Sequence, residues 1–334
     1  MGKKELCKIA VDAMGGDAPE EIIKGAIDAV RESEDIFCYL VGKEDYIKEV
    51  ISQYAFDKDR VEIIDAKEEI SCDESPVMAI KKKKDSSMVV ALSMVKEKKA
   101  DAFISAGSSG AILVGGQFIV GRIKGIERSP LATLMPTIKG ATLILDVGAN
   151  VDARSNHLVQ FAQIGSLYMK HIMKVDNPKV AIVNIGTEEA KGNALVKETY
   201  PLLKDCADIN FVGSIEARDI HQGDVDVIVA EAFVGNVILK LSEGLSKTMV
   251  GVVKEGLTSN LKSKIGAALA LPSLKKTLKK FDASEYGGAP LLGLNGLVVK
   301  VHGSAKAKEM KNAMFQCVSF KEEKMNEKMM EFLN

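Results

Sequence analysis

ADAFISAGSSGAILVGG, residues 100–116, runs from an apolar strand-like segment through a Ser/Gly turn into an apolar helical one. A turn of that composition at a helix start presents backbone N–H groups and the positive end of the helix dipole, a setting that suits an anion. Outward from it, the same alternation repeats. Apolar runs at 7–13, 37–42, 60–65, 130–136, 141–148, 178–186, 208–214 and 225–233 are separated by longer amphipathic stretches such as PEEIIKGAIDAVRES, 19–33, where Pro19 suits a helix start. Near-continuous Val/Ile/Leu strands between helices read as a mostly parallel sheet covered on both faces, an α/β fold of three layers, α/β/α.

No repeat, low-complexity tract or Pro/Gly/Ser linker interrupts the 334 residues. The expectation is one α/β/α domain over 1–334. After about Gly235 the pattern becomes a long helical region that reads as broken at Pro272, a hairpin projecting over about 255–282. Residues 293–303 read as a late strand or hairpin, and 304–333 as one Met-rich amphipathic helix.

A hydrophobic content of 46% with 27% charged residues can fill a sizeable core, and a net charge of −1 supplies no overall field for nucleic acid. The five cysteines form no CxxC pair, which argues for a reducing compartment and against a disulfide or zinc framework. No apolar run is long enough to span a bilayer, the start lacks a signal-peptide core, and Leu6 breaks the myristoylation pattern. These features read as cytoplasmic.

In parallel sheets chemistry gathers at the carboxyl ends of strands. The segments there are DAMGGD (12–17), SAGSSGA (105–111), DVGANVD (146–152), NIGTEEAKGN (184–193), AFVGN (232–236) and VHGSA (301–305). They combine small residues with Asn, Asp and Ser, and Lys191 is the one basic residue among them. Such turns can form N–H nests for an anion. No GxGxxG follows the first strand, and GAILVGGQ lacks the P-loop lysine, so a phosphate smaller than a nucleotide is favoured. There is no GxSxG elbow, and no cysteine stands in a strand-end segment. Asp146 and Asp152 could offer carboxylates to a divalent ion, or serve as turn and cap residues; no metal site is assigned.

DAMGGD, SAGxxGA, GIER, DVGANVD, NIGxEExKGN, FVGN…LKLSEG and EYGGAPLLGLNGLVVKVHGSA together resemble the phosphate acyltransferase PlsX family, from Ile9 to about Ala305. The resemblance implies transfer of a fatty acyl group from acyl-[acyl carrier protein] to inorganic phosphate, giving acyl phosphate for phospholipid synthesis. It also implies a fold like the isocitrate/isopropylmalate dehydrogenases and phosphotransacetylases, a homodimer, no cofactor, a downstream acyltransferase that uses the product, and peripheral membrane contact. The chain departs from the family's usual residues at Ser108-Ser109, at Glu231-Ala232 and at Ser129-Pro130.

Attack of a phosphate oxygen on a thioester expels a thiolate, so the protein's task is positioning and charge stabilisation. Phosphate or substrate binding is expected at Asp12, Gly15, Gly16, Ser105, Gly107, Ser108, Gly110, Arg128, Asp146, Gly148, Asn150 and Asp152, with phosphate against the 107–110 and 148–150 turns. Lys191 reads as the neutralising cation, Asn236 as a helix N-cap or an oxyanion donor, and His302 as a donor to the leaving thiolate or a structural histidine. The lysine run at 81–84 reads as a solvated face or a contact for the acidic carrier protein. Leu269, Leu274, Leu278 and Phe281, flanked by lysines that include Lys279 and Lys280, read as a membrane-contacting face or a subunit interface. Rival readings are an acyl-CoA:phosphate acyltransferase and a non-catalytic peripheral scaffold that binds phosphate or lipid head groups.

Overall fold

A computed structural model describes residues 5–278 and 281–333; Lys279 and Lys280 lie outside the described residues. The chain divides into two compact units, Met1–Thr133 with Leu167–Val175 and Ser284–Asn334, and Leu134–Ser166 with Asp176–Ala283. The boundaries at 133/134 and 166/167 fall inside a strand and inside a helix, so no linker composition marks them.

The first unit carries β1 (Cys7–Asp12), α1 (Pro19–Glu32), β2 (Ile36–Gly42), α2 (Glu44–Ile51), β3 (Val61–Asp65), α3 (Pro76–Lys82), α4 (Ser87–Lys96), β4 (Ala102–Ser105) and α5 (Ser109–Gly115). The chain then supplies β5 (Ala132–Thr137), β6 (Gly140–Leu145), α6 (Ser155–His171), β7 (Lys179–Asn184), α7 (Ala194–Lys204), β8 (Asn210–Glu216), β9 (Val227–Val229), α8 (Ala232–Thr258) and α9 (Leu261–Leu278), most of which build the second unit. It returns to the first with β10 (Ala289–Leu291), β11 (Leu297–Lys300), α10 (Ala307–Glu322) and α11 (Met325–Leu333).

The first unit's sheet has the order β10-β11-β4-β1-β2-β3 and is parallel except for β10, which runs antiparallel to β11. Val11 pairs with Ile104 and Lys300 with Ser105, so β1, β4 and β11 end level, with Asp12 and Ser105 side by side at the carboxyl edge. The second unit's sheet has the order β5-β6-β9-β7-β8, with β6, β9, β7 and β8 parallel. Both are the α/β arrangement that the Val/Ile/Leu runs imply. Ile22, Ile23 and Ile27 on the inner face of α1 are fully buried, each contributing about 1.5–3 kcal/mol relative to exposure.

The helical region after Gly235 is a hairpin, but its turn lies at 259–260 and not at Pro272. Asn260 accepts a hydrogen bond from the Ser263 amide at 2.9 Å and so starts α9, whereas Pro272 sits inside that helix. The carbonyl that Pro272 leaves without a helical partner belongs to Ala268, on an exposed turn where water can serve it. The C-terminal amphipathic segment is two helices, parted where Lys324 takes a left-handed conformation with φ 50°.

Candidate active site

In the first unit the strand-end turns converge on Asp12. Its buried carboxylate accepts hydrogen bonds from Ser87 Oγ and Ser105 Oγ, both at 2.6 Å. Ser105 Oγ in turn accepts from the Gly107 amide at 2.9 Å. Three segments far apart in the chain are thereby locked: the end of β1, the first turn of α4 and the end of β4. Burial raises the Asp12 pKa, and the hydrogen bonds from Ser105, Ser87 and the Met14 backbone oppose it.

Gly15 rests on this cluster, since a Cβ there would lie 2.8 Å from Asp12 Oδ2 and 2.9 Å from the Gly107 nitrogen. Gly16, at φ +88°, brings in the third turn: a Cβ would meet the Gly303 carbonyl at 2.9 Å, and that carbonyl accepts from the Asp17 amide at 2.8 Å. Ser108 is the N-cap of α5 and accepts from the Ala111 amide at 3.5 Å. Among the described residues the amides of Ser109 and Gly110 donate to no group. These are the orphan donors of a helix's first turn, held at the carboxyl edge of the sheet.

His302 is exposed beside these turns. Its Nδ1 accepts from the Ser304 amide at 3.2 Å and lies 2.8 Å from Ser304 Oγ, which leaves Nε2 as the outward nitrogen. Arg128 is exposed on the loop before β5 and makes none of these bonds.

In the second unit Asp146 follows β6 and is fully buried. Its Oδ1 accepts from the amides of Gly148 at 3.1 Å and Ala149 at 2.9 Å, and its Oδ2 from both the amide and the side chain of Asn150 at 2.7 Å. The N–H groups of the 148–150 turn, expected to cradle an anion, thus already hold one, the chain's own carboxylate. Asp152 is exposed beyond the turn.

Asn236 is not an N-cap. Glu231 caps α8, its carboxylate accepting from the amides of Phe233 at 2.7 Å and Val234 at 2.9 Å, so the helix starts at Ala232, four residues before Asn236. This start presses on the Asp146 loop: a Cβ on Gly235 would lie 1.9 Å from the Asp146 carbonyl oxygen, and Asn236 Oδ1 lies 4.0 Å from where a Cβ of Gly148 would be. Asn236 is exposed, with its amide over the 146–150 loop.

Lys191 lies on the loop after β7, its side chain 48% exposed and 2.7 Å from Glu188 Oε1. Hydrogen bonding to Lys191 lowers the Glu188 pKa. The loop is tied down by Asn184, whose side chain donates to the Lys191 carbonyl at 3.2 Å and to Ser214 Oγ at 3.1 Å.

Ser87, Glu231 and Asn184 escaped the sequence reading. A cap signal was legible in Ser86-Ser87 before an apolar run and in Glu231 before AFVGN, but Ser87 meets Asp12 across 75 positions, which no local pattern encodes. Burial pushes the Cys7 thiol up to about 12 and raises those of Cys38 and Cys317, which makes these three poor nucleophiles at neutral pH. Among the described residues no three His, Cys, Asp or Glu side chains are grouped to hold a metal ion.

The fatty acid synthesis protein family matches residues 7–328. Over 316 residues the chain is 51% identical to a protein named putative phosphate acyltransferase from Clostridium perfringens, covering 94% of this chain and 93% of that one. The chain belongs to the phosphate acyltransferase PlsX family. Its fold is similar to that of the EutD phosphotransacetylase from Staphylococcus aureus, with a TM-score of 0.61 at 17% identity and coverage of 95% of both chains. A phosphotransacetylase from Streptococcus pyogenes gives a TM-score of 0.62 at 16% identity, covering 96% of this chain and 94% of that one. Family membership and the α/β fold therefore agree with the motif reading.

Proposed function

We propose that this chain transfers a fatty acyl group from acyl-[acyl carrier protein] to inorganic phosphate. A phosphate oxygen attacks the thioester carbonyl, the C–S bond breaks, and the products are acyl phosphate and the free carrier thiol. The observation that carries the reading is the 51% identity over 94% of the chain to a protein named as a phosphate acyltransferase. The geometry supports it: the unbonded amides of Ser109 and Gly110 suit a phosphate, and Asp12, through Ser105, holds Gly107 in place beside them.

In this reading phosphate lies against the 107–110 turn, His302 Nε2 faces outward to meet a departing thiolate, and Arg128 is a guanidinium free to swing to a phosphate or carrier group. Within the second unit, Lys191 is the candidate cation, its amine 2.7 Å from Glu188 Oε1, and Asn236 is the candidate amide donor. The acyl-CoA rival shares the fold, and the scaffold rival predicts no turnover.

The hairpin is proposed as the membrane- and partner-contacting part. No described helix is long and apolar enough to cross a membrane. Leu269 is 80% exposed, Leu278 and Phe281 are exposed, and Leu274 is half-buried. Leu261, Ile265 and Leu269 form one exposed stripe on α9; Val237, Leu241, Leu245 and Met249 form another on α8, which suits a second copy of the chain.

The test is phosphate-dependent thiol release from purified acyl-[acyl carrier protein], compared with acyl-CoA. Release from the carrier thioester is expected. Release from acyl-CoA alone establishes the rival donor, and no release from either leaves the scaffold. Lys191→Ala should lower turnover about 10²-fold with the melting midpoint unchanged; a change of only a few-fold removes Lys191 from the chemistry.

A further inference from the structure

The lysine run at 81–84 is not absorbed by the site described above, and the structure shows which of its members are free. Helix α3 lies along α5. Pro76 Cγ comes within 2.6 Å of where a Cβ on Gly110 would be, and Ile80 Cδ1 within 3.2 Å of where one on Gly115 would be. The two contacts advance in the same direction along both helices, so α3 runs parallel to α5 with Ala79 and Ile80 buried.

The opposite face of α3 carries Val77, 56% exposed, Met78, 44% exposed, and the exposed Lys81 and Lys82. Val77 with Lys81 and Met78 with Lys82 are i,i+4 neighbours, so two apolar side chains and two ammonium groups form one strip. Lys83 is spent on Glu74 at 2.7 Å and on the Glu69 carbonyl, and Lys84 on the Ile80 carbonyl. Among the described residues neither Lys81 nor Lys82 pairs with an acid. Phe118, exposed on the turn of helix that continues α5, adds an apolar ring beyond Gly115.

We infer that this α3 face is the docking surface for the acidic carrier protein that brings the acyl thioester, an inference that rests on the acyl-carrier reading above. The charge is complementary. Two unpaired lysines steer an acidic partner and set its orientation, and Val77 and Met78 supply the small desolvated centre of a transient contact. The place is also right. Pro76, the first residue of α3, packs on Gly110, so a carrier seated on α3 arrives beside the 107–110 turn.

The experiment measures steady-state thiol release by the full chain while the acyl-carrier and phosphate concentrations are varied separately, for the parent, for Lys81→Glu with Lys82→Glu, and for Lys81→Arg with Lys82→Arg. The reversed pair should raise the KM for acyl carrier about tenfold or more, with kcat, the KM for phosphate and the melting midpoint unchanged, and added salt should raise the parent's KM more steeply than the variant's. The arginine pair should stay close to the parent. An unchanged carrier KM in the reversed pair overturns the docking surface. So does loss of sedimentation with anionic vesicles at unchanged carrier KM, which assigns the strip to lipid instead. No thiol release from the carrier thioester by the parent overturns the acyl-carrier reading itself, and the docking surface with it.

Discussion

Asp12 and Asp146 sit at the carboxyl ends of parallel strands in the two units, both buried, and they are held in opposite ways. Asp12 is held by hydroxyls from positions 75 and 93 residues away, Ser87 and Ser105. Asp146 is held by the amides of Gly148, Ala149 and Asn150, two to four residues further on. The local solution consumes the backbone donors of the 148–150 turn. Beside the long-range one, the Ser109 and Gly110 amides at the start of α5 donate to no group among the described residues. Two similar-looking Asp/Gly segments therefore do different work. One is a self-satisfied loop on which α8 rests, and the other backs a turn with donors to spare.

The largest effect is expected at the junction of α8 with the Asp146 loop. Gly235→Ala forces a Cβ to 1.9 Å from a backbone carbonyl, so the helix start or the loop must move, at a cost of about 3 kcal/mol. Denaturant unfolding should show the loss together with reduced soluble yield, and a variant as stable as the parent would mean that α8 does not bear on this loop.

The comparison itself is tested by the paired variants Asp146→Asn and Asp12→Asn. The first sets an amide N–H against backbone N–H groups and should cost about 2 kcal/mol. The second should cost less, because burial already disfavours the Asp12 charge and the two serine hydroxyls can turn to suit an amide. The sign of its pH dependence follows from the raised pKa. The proton is bound more tightly in the fold than in the unfolded chain, where the ordinary value is 3.8. The parent's contribution from this group is thus present below that value and lost as pH rises through the folded pKa. Stability of Asp12→Asn measured relative to the parent should accordingly improve as pH rises across that window. Equal losses in the two variants would erase the distinction between the two carboxylates.

The smallest effects separate backbone from side chain at the 107–110 turn. Ser109→Ala should leave thiol release within about twofold, since the Ser109 amide is retained. Gly110→Val drives a side chain into Pro76 and should lower release by about tenfold or more through displacement of the turn. The reverse order would make the hydroxyl, and not the amides, the functional group.

Much of the fold was legible because burial on both faces writes parallel strands as apolar runs. The central strands of the first sheet, β1 and β4, and α1 lie within a residue or two of where those runs place them, whereas β9 is only part of its run. β10 is only three residues long and pairs with β11, so its short run carried no independent signal. The Pro272 break was misplaced because a proline on an exposed turn bends a helix without ending it, while the capping residue Asn260 starts one.

The strand-end segments, and with them the family, could be read from residue order alone, since glycine turns and their neighbouring Asp, Ser and Asn are local features. What only the tertiary structure decided is how each donor is used: that the amides of 148–150 face Asp146, that Glu231 and not Asn236 caps α8, that Lys191 rests on Glu188, and that Lys81 and Lys82 remain unpaired while Lys83 does not. The physical reason is that hydrogen-bond satisfaction is a matter of distances of about 3 Å between groups, and the chain brings those groups together across tens of residues. The identity of a residue sets what it can donate or accept, and the fold alone sets what stands opposite it.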